Sequence, residues 1–379
     1  MIDAIRGLIA WTPLGLPAFL FVITLVVFFH ELGHFLVARA CGVTVDVFSI
    51  GFGKEIFGWN DRRGTRWKVS WLPFGGYVKF AGDANAASMP DAEAAARMSA
   101  AEREGVLLFK PLWQRAAVAA AGPFANFLLA IVLLTGLNLA VGHTVLTPLI
   151  GGVVKGSPAE AAGIRPGDLV TSVDGTPVND FDQLPEIISV SGGQSLAIGL
   201  MREGRPLTVH VTPRLTEVRD PLGNEGSQMV IGVHPAAGAP VKTITYGPAG
   251  AVAAACGRTW DIISTTIEGI VQMVRGEAST DQLRGPLGIA KVTQQVAVFG
   301  FLALLNLVAV LSVSIGLANL FPIPLLDGGH LLYYACEAVL GRPLGERAQD
   351  VGFRLGLVLV LGLMLLTTWN DLARLNLSF

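Results

Sequence analysis

The sequence predicts a polytopic α-helical membrane protein with four transmembrane helices and a small α+β domain inserted between the second and third. Two observations on composition predict this fold class. The 379 residues are 52% hydrophobic and only 15% charged, whereas ordinary soluble proteins carry about 25% charged residues, and the mean hydropathy is +0.56. The third observation is that the few charges are missing from several stretches long enough to cross a bilayer.

Four apolar stretches carry the prediction of transmembrane helices. No charged residue lies within residues 7–29, 116–141 or 292–326. Each of these stretches exceeds the roughly 20 helical residues that cross the hydrocarbon core. The fourth stretch, residues 355–370, is shorter, but the neighbouring Arg354 can extend its charged end to the interface. We therefore expect four spans.

Net charge and cysteine content exclude several classes of protein. The formal net charge is −2, so the chain has no basic surface of the kind that binds nucleic acid. We therefore expect no nucleic-acid partner. The three cysteines, Cys41, Cys256 and Cys336, fit no Cys-x-x-Cys spacing, and an odd number cannot form a closed set of disulfides.

The loop between the first two spans predicts a β-hairpin, and the region after the second span predicts a small domain. Residues 43–50 and 67–71 are rich in β-branched and aromatic residues and flank a turn at residues 61–64. After the second span, short strand-like runs alternate with Gly, Pro and Asp turns. The predicted strands there are residues 169–173, 196–201 and 207–211.

These observations divide the chain into four regions. The first two spans and the hairpin loop occupy residues 1–143, and the small domain occupies residues 144–222. Residues 223–291 are predicted to be a Gly/Pro/Ala-rich linker followed by an amphipathic helix at residues 262–274, which would lie along the membrane surface. The last two spans occupy residues 292–379.

The end of the first apolar stretch carries a candidate metal site. His30-Glu31-Leu32-Gly33-His34 is an HExxH sequence. On a helix, residues four apart share one face, so both imidazoles can reach one zinc ion and the Glu lies beside the water that the metal activates. Three ionisable side chains at a membrane span are costly to bury, which favours a functional role.

A catalytic zinc site needs a third protein ligand, and topology narrows the choice. With four spans, the first and third run in the same direction, so their C-terminal ends lie at the same membrane face. Asp327 follows the third span and is the preferred third ligand, with His330 as the alternative. Pro322 and Pro324 precede it and must interrupt the helix, which is tolerated at membrane depth only inside protein or beside a wet cavity.

Taken together, these stretches resemble the site-2 protease family of intramembrane zinc metalloproteases, and the single insert resembles the branch of bacterial regulators of sigma-E proteolysis. The matching stretches are HExxH, residues 319–328 with the pattern NxxPxPxxDG, residues 74–79, and residues 114–126. The resemblance implies one zinc ion per chain, held by His30, His34 and Asp327, with Glu31 as the catalytic base.

The resemblance also implies a substrate and a location. The expected reaction is hydrolysis of peptide bonds inside the transmembrane segments of single-span proteins, such as anti-sigma factors, or of remnant signal peptides. The expected location is the bacterial inner membrane, with the lipid bilayer as the surrounding partner. Basic residues are concentrated on the side that carries the HExxH motif, which places the active site toward the cytoplasm and the inserted domain outside.

Further site residues are predicted with alternatives. Asn319 is a candidate oxyanion donor or substrate clamp, and Asn126 is a candidate substrate-binding residue; either could instead make an interhelical hydrogen bond. Gly75 and Gly76 lie in the hairpin loop, which resembles the membrane-associated β-hairpin of the family and could pair with an unwound substrate. A plain cytoplasmic hairpin is the alternative.

The inserted domain resembles a PDZ domain in its circularly permuted bacterial form. The resemblance rests on residues 150–154, 156–164 and 165–170. It implies a peptide groove between a strand edge at Gly151, Gly152 and Val153 and a helix at residues 181–190, which would take a peptide tail. The alternative is a steric plug that binds no peptide and excludes bulky substrates.

Two other functions remain compatible with these residues. The first is a membrane-anchored zinc peptidase that acts on surface or misfolded chains. The second is a non-catalytic scaffold or ion-relay protein with a PDZ-like domain, in which His30, Glu31, His34 and Asp327 would carry protons or ions. The scaffold predicts no zinc, and the surface peptidase predicts efficient cleavage of soluble proteins.

Overall fold

The computed structural model describes residues 14–83, 98–99, 103–189, 191–219, 225–236, 238, 240–276, 280 and 283–374. The chain forms two compact units. The helical unit contains the residues up to Thr135, residues 252–266 and the residues from Leu283 onward; the inserted unit contains residues 136–251 and 267–282. Residues 7–13 of the first predicted span lie outside the described residues.

The described elements are numbered in chain order. The helices are α1 (Gly15–Ala40), α2 (Leu112–Ala140), α3 (Pro158–Ala161), α4 (Gln183–Ser189), α5 (Pro248–Val274), α6 (Pro286–Ala297), α7 (Phe301–Asn319), α8 (Asp327–Leu340) and α9 (Glu346–Arg374). The strands are β1 (Val45–Asn60), β2 (Arg66–Phe80), β3 (His143–Leu146), β4 (Ile150–Val153), β5 (Leu169–Val173), β6 (Thr176–Pro177), β7 (Leu196–Arg202), β8 (Arg205–Val211), β9 (Arg214–Arg219), β10 (Glu225–Val230), β11 (Val233–Pro235) and β12 (Val241–Ile244).

Four of the described helices are long and apolar enough to cross a membrane, which confirms the predicted number of candidate spans. They are α1 with 26 residues, α2 with 29, α7 with 19, and 27 residues within α9, Arg347–Ala373. Their mean hydropathies lie between 2.0 and 2.4. At 1.5 Å per residue even α7 spans nearly 30 Å. The chain is a membrane protein.

The helical unit packs α1, α2 and α7 against one another. Val22 and Val26 of α1 are fully buried with Val308 of α7 and Leu129 of α2. A second cluster joins α2 and α7 to α5 and contains three fully buried alanines, Ala130, Ala309 and Ala255. Only 11% of the apolar window of α9 is buried inside the protein. Three spans therefore form the interior, and the fourth lies at the periphery.

The apolar run at residues 292–326 is not one helix, and the predicted third span is shorter than the run. Its first part belongs to α6, and α7 begins only at Phe301. Gly300 between them has φ +98°, a backbone conformation that glycine adopts without a Cβ clash. The helix then ends at Asn319, before Pro322 and Pro324, where the sequence predicts an interruption.

The predicted hairpin is a longer and more elaborate sheet than the sequence indicates. Strands β1 and β2 are antiparallel, and β1 residues 47–50 pair both with residues 66–69 and with residues 76–79 of β2. The turn between the strands is closed by Asp61, whose carboxylate accepts hydrogen bonds from the backbone N–H groups of Arg63 and Thr65. The sheet packs on α1, with Phe48 fully buried beside Phe35.

The inserted unit has its own apolar core around a four-stranded sheet in the order β6-β5-β7-β8. Ile198 and Leu200 of β7 are buried with Val173 of β5 and Leu184 of α4. All three predicted strands of this region are present, and α4 lies within the predicted helix. Fully burying each such side chain contributes about 1.5–3 kcal/mol, so this unit has a conventional hydrophobic core.

Part of the predicted linker is strand. β11 pairs with β4 and β12 pairs with β3, so residues beyond 222 complete the inserted unit. The local Gly/Pro/Ala composition does not reveal pairing with strands some 80 to 100 positions earlier in the chain. The amphipathic segment predicted at residues 262–274 belongs to the longer helix α5, and its location on the membrane surface stays a prediction.

Candidate metal centre

The HExxH residues lie on α1, one helical turn apart. The Nε2 atoms of His30 and His34 are 3.3 Å apart, and their rings meet edge to face at 4.9 Å. Only 10% and 12% of these side chains are exposed. Because α1 continues to Ala40, both imidazoles project from regular helix, and their spacing is set by the helix itself.

Asp327 reaches the histidines through the irregular segment between α7 and α8. Pro322 and Pro324 lack an N–H and cannot continue the helix, and Leu325 has φ +110°, which is costly for a residue with a Cβ. This reversal places Asp327 at the first position of α8. Its Oδ2 lies 3.2 Å from Nε2 of His30, and its Oδ1 lies 3.4 Å from Nε2 of His34.

Two features fix the position of α8: a tight turn just after Asp327 and an ion pair farther along the helix. A Cβ on Gly328 or Gly329 would collide with the backbone of the preceding irregular segment, so only glycine permits so tight a turn. Farther along α8, Glu337 receives hydrogen bonds from both terminal nitrogens of Arg115 at the start of α2, and both side chains are largely buried. This ion pair joins the helix that carries the carboxylate to the second span.

The three side chains fit a zinc ion. In a tetrahedral site with metal–ligand distances of about 2.0–2.1 Å, neighbouring ligand atoms are about 3.3 Å apart. The separations in this site are similar: the two Nε2 atoms are 3.3 Å apart, Nε2 of His30 is 3.2 Å from Oδ2 of Asp327, and Nε2 of His34 is 3.4 Å from Oδ1 of Asp327. Moreover, Asp327 Oδ2 is buried and accepts no hydrogen bond within the described protein. A cation bound between these atoms would satisfy that oxygen.

His34 is held in the form that can bind a metal. Its Nδ1 lies 2.7 Å from the carbonyl oxygen of Val118 on α2, and only a protonated Nδ1 can donate to a carbonyl. The neutral ring therefore presents the lone pair of Nε2 toward His30 and Asp327. Sequence reasoning missed Val118, because a backbone carbonyl leaves no mark in the pattern of side chains.

Glycines make room for the imidazoles between α1 and α2. A Cβ on Gly122 would collide with the ring of His34 and would lie 2.8 Å from Cε1 of His30. A Cβ on Gly33 would collide with the carbonyl of Ala121 and lie 2.7 Å from Cβ of Ala125. Gly33 lies inside the HExxH sequence, but only the packing of the two helices reveals why that position is a glycine.

Glu31 lies on α1 beside the β-sheet rather than among the three ligand atoms. A Cβ placed on Gly76 of β2 would be 3.5 Å from Cγ of Glu31 and 2.6 Å from the carbonyl oxygen of Ser49. The neighbouring Gly75 has φ +120° and lies close to the ring of Phe52. The structure thus brings the predicted catalytic base close to Gly76, one of the two predicted substrate-pairing glycines.

The other predicted site residues have different surroundings. The described cluster contains Asp327 and does not include the alternative ligand His330, which lies one turn further along α8. Asn319 is half-buried at the last position of α7, and its role toward an oxyanion stays a prediction. Asn126 is fully buried beside His30.

Three predicted peptide-binding residues lie on β4 in the inserted unit. Val153 is opposite Val233, and Gly152 is opposite His234, both in β11. One edge of β4 is therefore already paired within the unit. The backbone of Gly151 lies so near Ala236 that a Cβ could not be accommodated. Peptide binding by Gly151, Gly152 and Val153 stays a prediction.

Comparison with known proteins agrees with this geometry. The model of Peptidase family M50 matches residues 18–363. The chain belongs to this family, the site-2 protease family. Over 94% of its length, it is 45% identical to a protein of Rhizobium meliloti (strain 1021) that is named as a zinc metalloprotease, and the match covers 96% of that protein. It is also 40% identical to metalloprotease MmpA of Caulobacter vibrioides, over 95% of each chain.

A third relative extends the agreement. A protein of Mesorhizobium japonicum, also named as a zinc metalloprotease, is 46% identical over 94% of this chain and 98% of its own length. The M50 chain is therefore a zinc metalloprotease, and zinc is its metal. The predicted family and cofactor are confirmed, and membership of a peptidase family removes the support for a non-catalytic scaffold.

Proposed function

We propose that this M50 protease hydrolyses peptide bonds inside the transmembrane segments of other membrane proteins. The observation that carries the proposal is the position of the His30, His34 and Asp327 cluster. Two of its members project from the candidate span α1, and the third follows the candidate span α7. A protease for soluble chains has no need of catalytic groups on an apolar helix, where burying them is costly.

The proposed substrates are single-span membrane proteins, such as anti-sigma factors, and remnant signal peptides. The proposed location is the bacterial inner membrane, crossed by all four candidate spans. Basic residues of the hairpin loop, one arginine between α8 and α9 and two arginines in the first part of α9 support an active site that faces the cytoplasm. These residues are Lys54, Arg62, Arg63, Arg66, Lys68, Lys79, Arg342, Arg347 and Arg354.

The proposed chemistry assigns one role to each residue. His30, His34 and Asp327 would hold the zinc ion, which when bound supplies a Lewis acid that lowers the pKa of water to about 7. Glu31 takes a proton from the attacking water and returns it to the leaving nitrogen. Asn319 donates a hydrogen bond to the substrate carbonyl oxygen as negative charge develops on it.

The β1–β2 sheet is proposed to hold the substrate in an extended form. A transmembrane helix hides its peptide bonds inside backbone hydrogen bonds, so a segment must unwind before it can react. A strand edge can pair with such a segment by β-addition. Gly76 supports this role, because it places the backbone of β2 beside Glu31 without a side chain of its own between them; Gly75 precedes it in the same strand.

The inserted unit is proposed to be a PDZ-like domain on the opposite side of the membrane. Its four-stranded sheet and α4 support the assignment, and its groove would lie between β4 and α4. Peptide recognition and steric exclusion remain two possible actions of this domain. Removing residues 143–244, from β3 to β12, should widen the range of substrates under either action, whereas loss of all cleavage in a folded protein would contradict both.

The test compares the wild type with Glu31→Gln, using a single-span reporter and casein as substrates and metal analysis of both proteins. We expect the wild type to cleave the reporter much faster than casein. We expect Glu31→Gln to lose about 10²–10⁴-fold in cleavage while it retains zinc. Glu268→Gln, on α5 outside the cluster, is the matched control. Equal cleavage of both substrates would favour a surface peptidase, and an active Glu31→Gln would overturn the mechanism.

A further inference from the structure

Asn126 lies against the second ring nitrogen of His30. This residue of α2 is fully buried, and its Nδ2 lies 3.3 Å from Nδ1 of His30. Its Oδ1 is buried as well and has no hydrogen-bond partner within the described protein. An unpartnered buried carbonyl oxygen costs about 1–3 kcal/mol, so the orientation of this amide needs an explanation.

Rotating the amide by half a turn gives this oxygen a partner. The oxygen and nitrogen of a carboxamide exchange places with no change in shape. In the rotated form, Oδ1 of Asn126 occupies the position near Nδ1 of His30 and accepts a hydrogen bond from the ring. The oxygen is then satisfied, and the Nδ1–H form of His30 leaves Nε2 with a free lone pair.

The unrotated form is incompatible with metal binding at the same site. If Nδ2 of Asn126 donates to Nδ1 of His30, the proton of the neutral ring must lie on Nε2. Nε2 is the atom that faces His34 and Asp327, at 3.3 and 3.2 Å. A proton there would occupy the position that a metal needs. Zinc binding therefore selects the form in which Oδ1 of Asn126 accepts a hydrogen bond from Nδ1–H of His30.

The third span holds Asn126 in this position. The hydroxyl of Ser312 on α7 donates to the backbone carbonyl of Asn126 over 2.9 Å. A Cβ on Gly316, one turn further along α7, would lie only 3.0 Å from Cβ of Asn126. The side chain of Asn126 is thus confined between α7 and the ring of His30, with little freedom to move away.

We propose that Asn126 is a positioning residue for the metal centre: it accepts the Nδ1–H of His30 and so fixes the ring with Nε2 toward the zinc. Val118 does the same for His34 through its carbonyl oxygen. α2 therefore supplies one acceptor for each histidine ligand. This inference rests on the zinc site of the proposed function, and it differs from the substrate-binding role that the sequence alone predicts for Asn126.

The experiment measures the zinc dissociation constant of the purified full chain by competition with a chelator. Asn126→Leu removes the acceptor with little change in volume, and we expect zinc binding to weaken about 10–100-fold. Asn126→Asp keeps an acceptor and cannot donate, so we expect it to bind zinc at least as tightly as the wild type. Thr135→Val on the same helix is the control and should bind zinc like the wild type.

Each outcome decides between roles. Wild-type zinc affinity in Asn126→Leu, with only KM for the reporter raised, would overturn the proposal in favour of substrate binding. Weakened zinc binding in Asn126→Asp would overturn the proposal as well, because it would mean that Asn126 donates a hydrogen bond to Nδ1 of His30. This comparison can be made even if Asn126→Leu does not fold. Absence of zinc from the wild type would overturn the proposed metal site. If the wild type binds zinc and Asn126→Leu binds it equally well, only the role of Asn126 is overturned.

Discussion

The helical unit and the inserted unit are stabilised in different ways. In the helical unit, close contacts involve small residues and polar groups: Gly33 against Ala121, and Ser312 donating to Asn126. In the inserted unit, the core is built from large apolar side chains such as Ile198 and Leu200. Lipid is as apolar as leucine, so burial alone cannot position helices in a membrane, and small residues and hydrogen bonds do so instead.

The two units therefore differ in what buried polar groups do: in the helical unit some of them lie beside the candidate metal site, and in the inserted unit they stabilise its fold. In the helical unit, two buried polar groups of α2, the side chain of Asn126 and the carbonyl of Val118, lie against His30 and His34 of the candidate metal site. In the inserted unit, the buried carboxylate of Asp168 is paired with Arg202. Substitutions in the first unit should therefore alter zinc binding and cleavage, whereas substitutions in the second should alter its stability.

Removing a ligand should give the largest effect. We expect His34→Ala to lose bound zinc and to reduce cleavage of the reporter to background, because only His30 and Asp327 would remain to hold the ion. Metal analysis and a cleavage assay measure the two losses. His210→Ala, on an exposed position of β8, is the matched control. Full zinc content in His34→Ala would remove the basis for the site.

A core substitution in the inserted unit should give a large effect of the opposite kind. Leu200→Ala should lower the free energy of unfolding of this unit by about 2–5 kcal/mol, because it leaves a cavity in a packed core. Hydrogen exchange of the full chain measures this loss, and the zinc content should be unchanged. Loss of zinc in this variant would show that zinc binding also depends on the stability of the inserted unit.

Disturbing the contact between α1 and α2 should have a somewhat smaller effect. In Gly33→Ala the new methyl group meets the backbone of Ala121, and the helices must separate. A displacement of about 1 Å at a reacting group can cost about 100-fold in rate, and we expect a loss of this order in kcat. Gly362→Ala, on the open surface of α9, is the control. Equal rates in both variants would contradict the packing argument.

The sheet offers a comparison within the helical unit. Gly76→Ala and Gly58→Ala would each bring a Cβ to 2.6 Å from a backbone oxygen of the neighbouring strand, but only Gly76 lies beside Glu31. We expect Gly76→Ala to slow cleavage about 10-fold more than Gly58→Ala does, with zinc retained in both. Steady-state kinetics on the reporter measure the ratio, and a ratio near one would count against substrate pairing at this strand.

The smallest expected effect is a pH dependence in the inserted unit. Hydrogen bonds from Arg202 hold the pKa of Asp168 below its ordinary value. The ionised form therefore stabilises the fold above the unfolded-state pKa of about 3.9, and this contribution is lost as pH falls through the lower folded-state pKa. Unfolding of the unit, followed between pH 7 and 3, should show this loss in the wild type and a flatter profile in Asp168→Asn.

How far the sequence predicts the fold depends on the range of the interactions. The spans could be predicted because crossing a bilayer requires a long charge-free run, and the HExxH ligands because a helix places residues four apart on one face. The pairing of β11 with β4 could not be predicted, since it joins residues far apart in the chain. The doubled pairing of β1 residues 47–50 was missed for a different reason: strand-like composition does not show that two parts of the next strand pair with the same residues.

The sequence by itself determined the membrane class, the four candidate spans and the residues able to bind zinc, because hydropathy and helical spacing are local properties of the chain. Tertiary structure decided that Asp327, and not His330, lies with His30 and His34, that Gly76 lies against Glu31, and that α2 places the carbonyl of Val118 and the side chain of Asn126 beside the two imidazoles. The physical reason is that a ligand set and its hydrogen-bond partners come from distant helices, and only their packing brings those atoms within bonding distance.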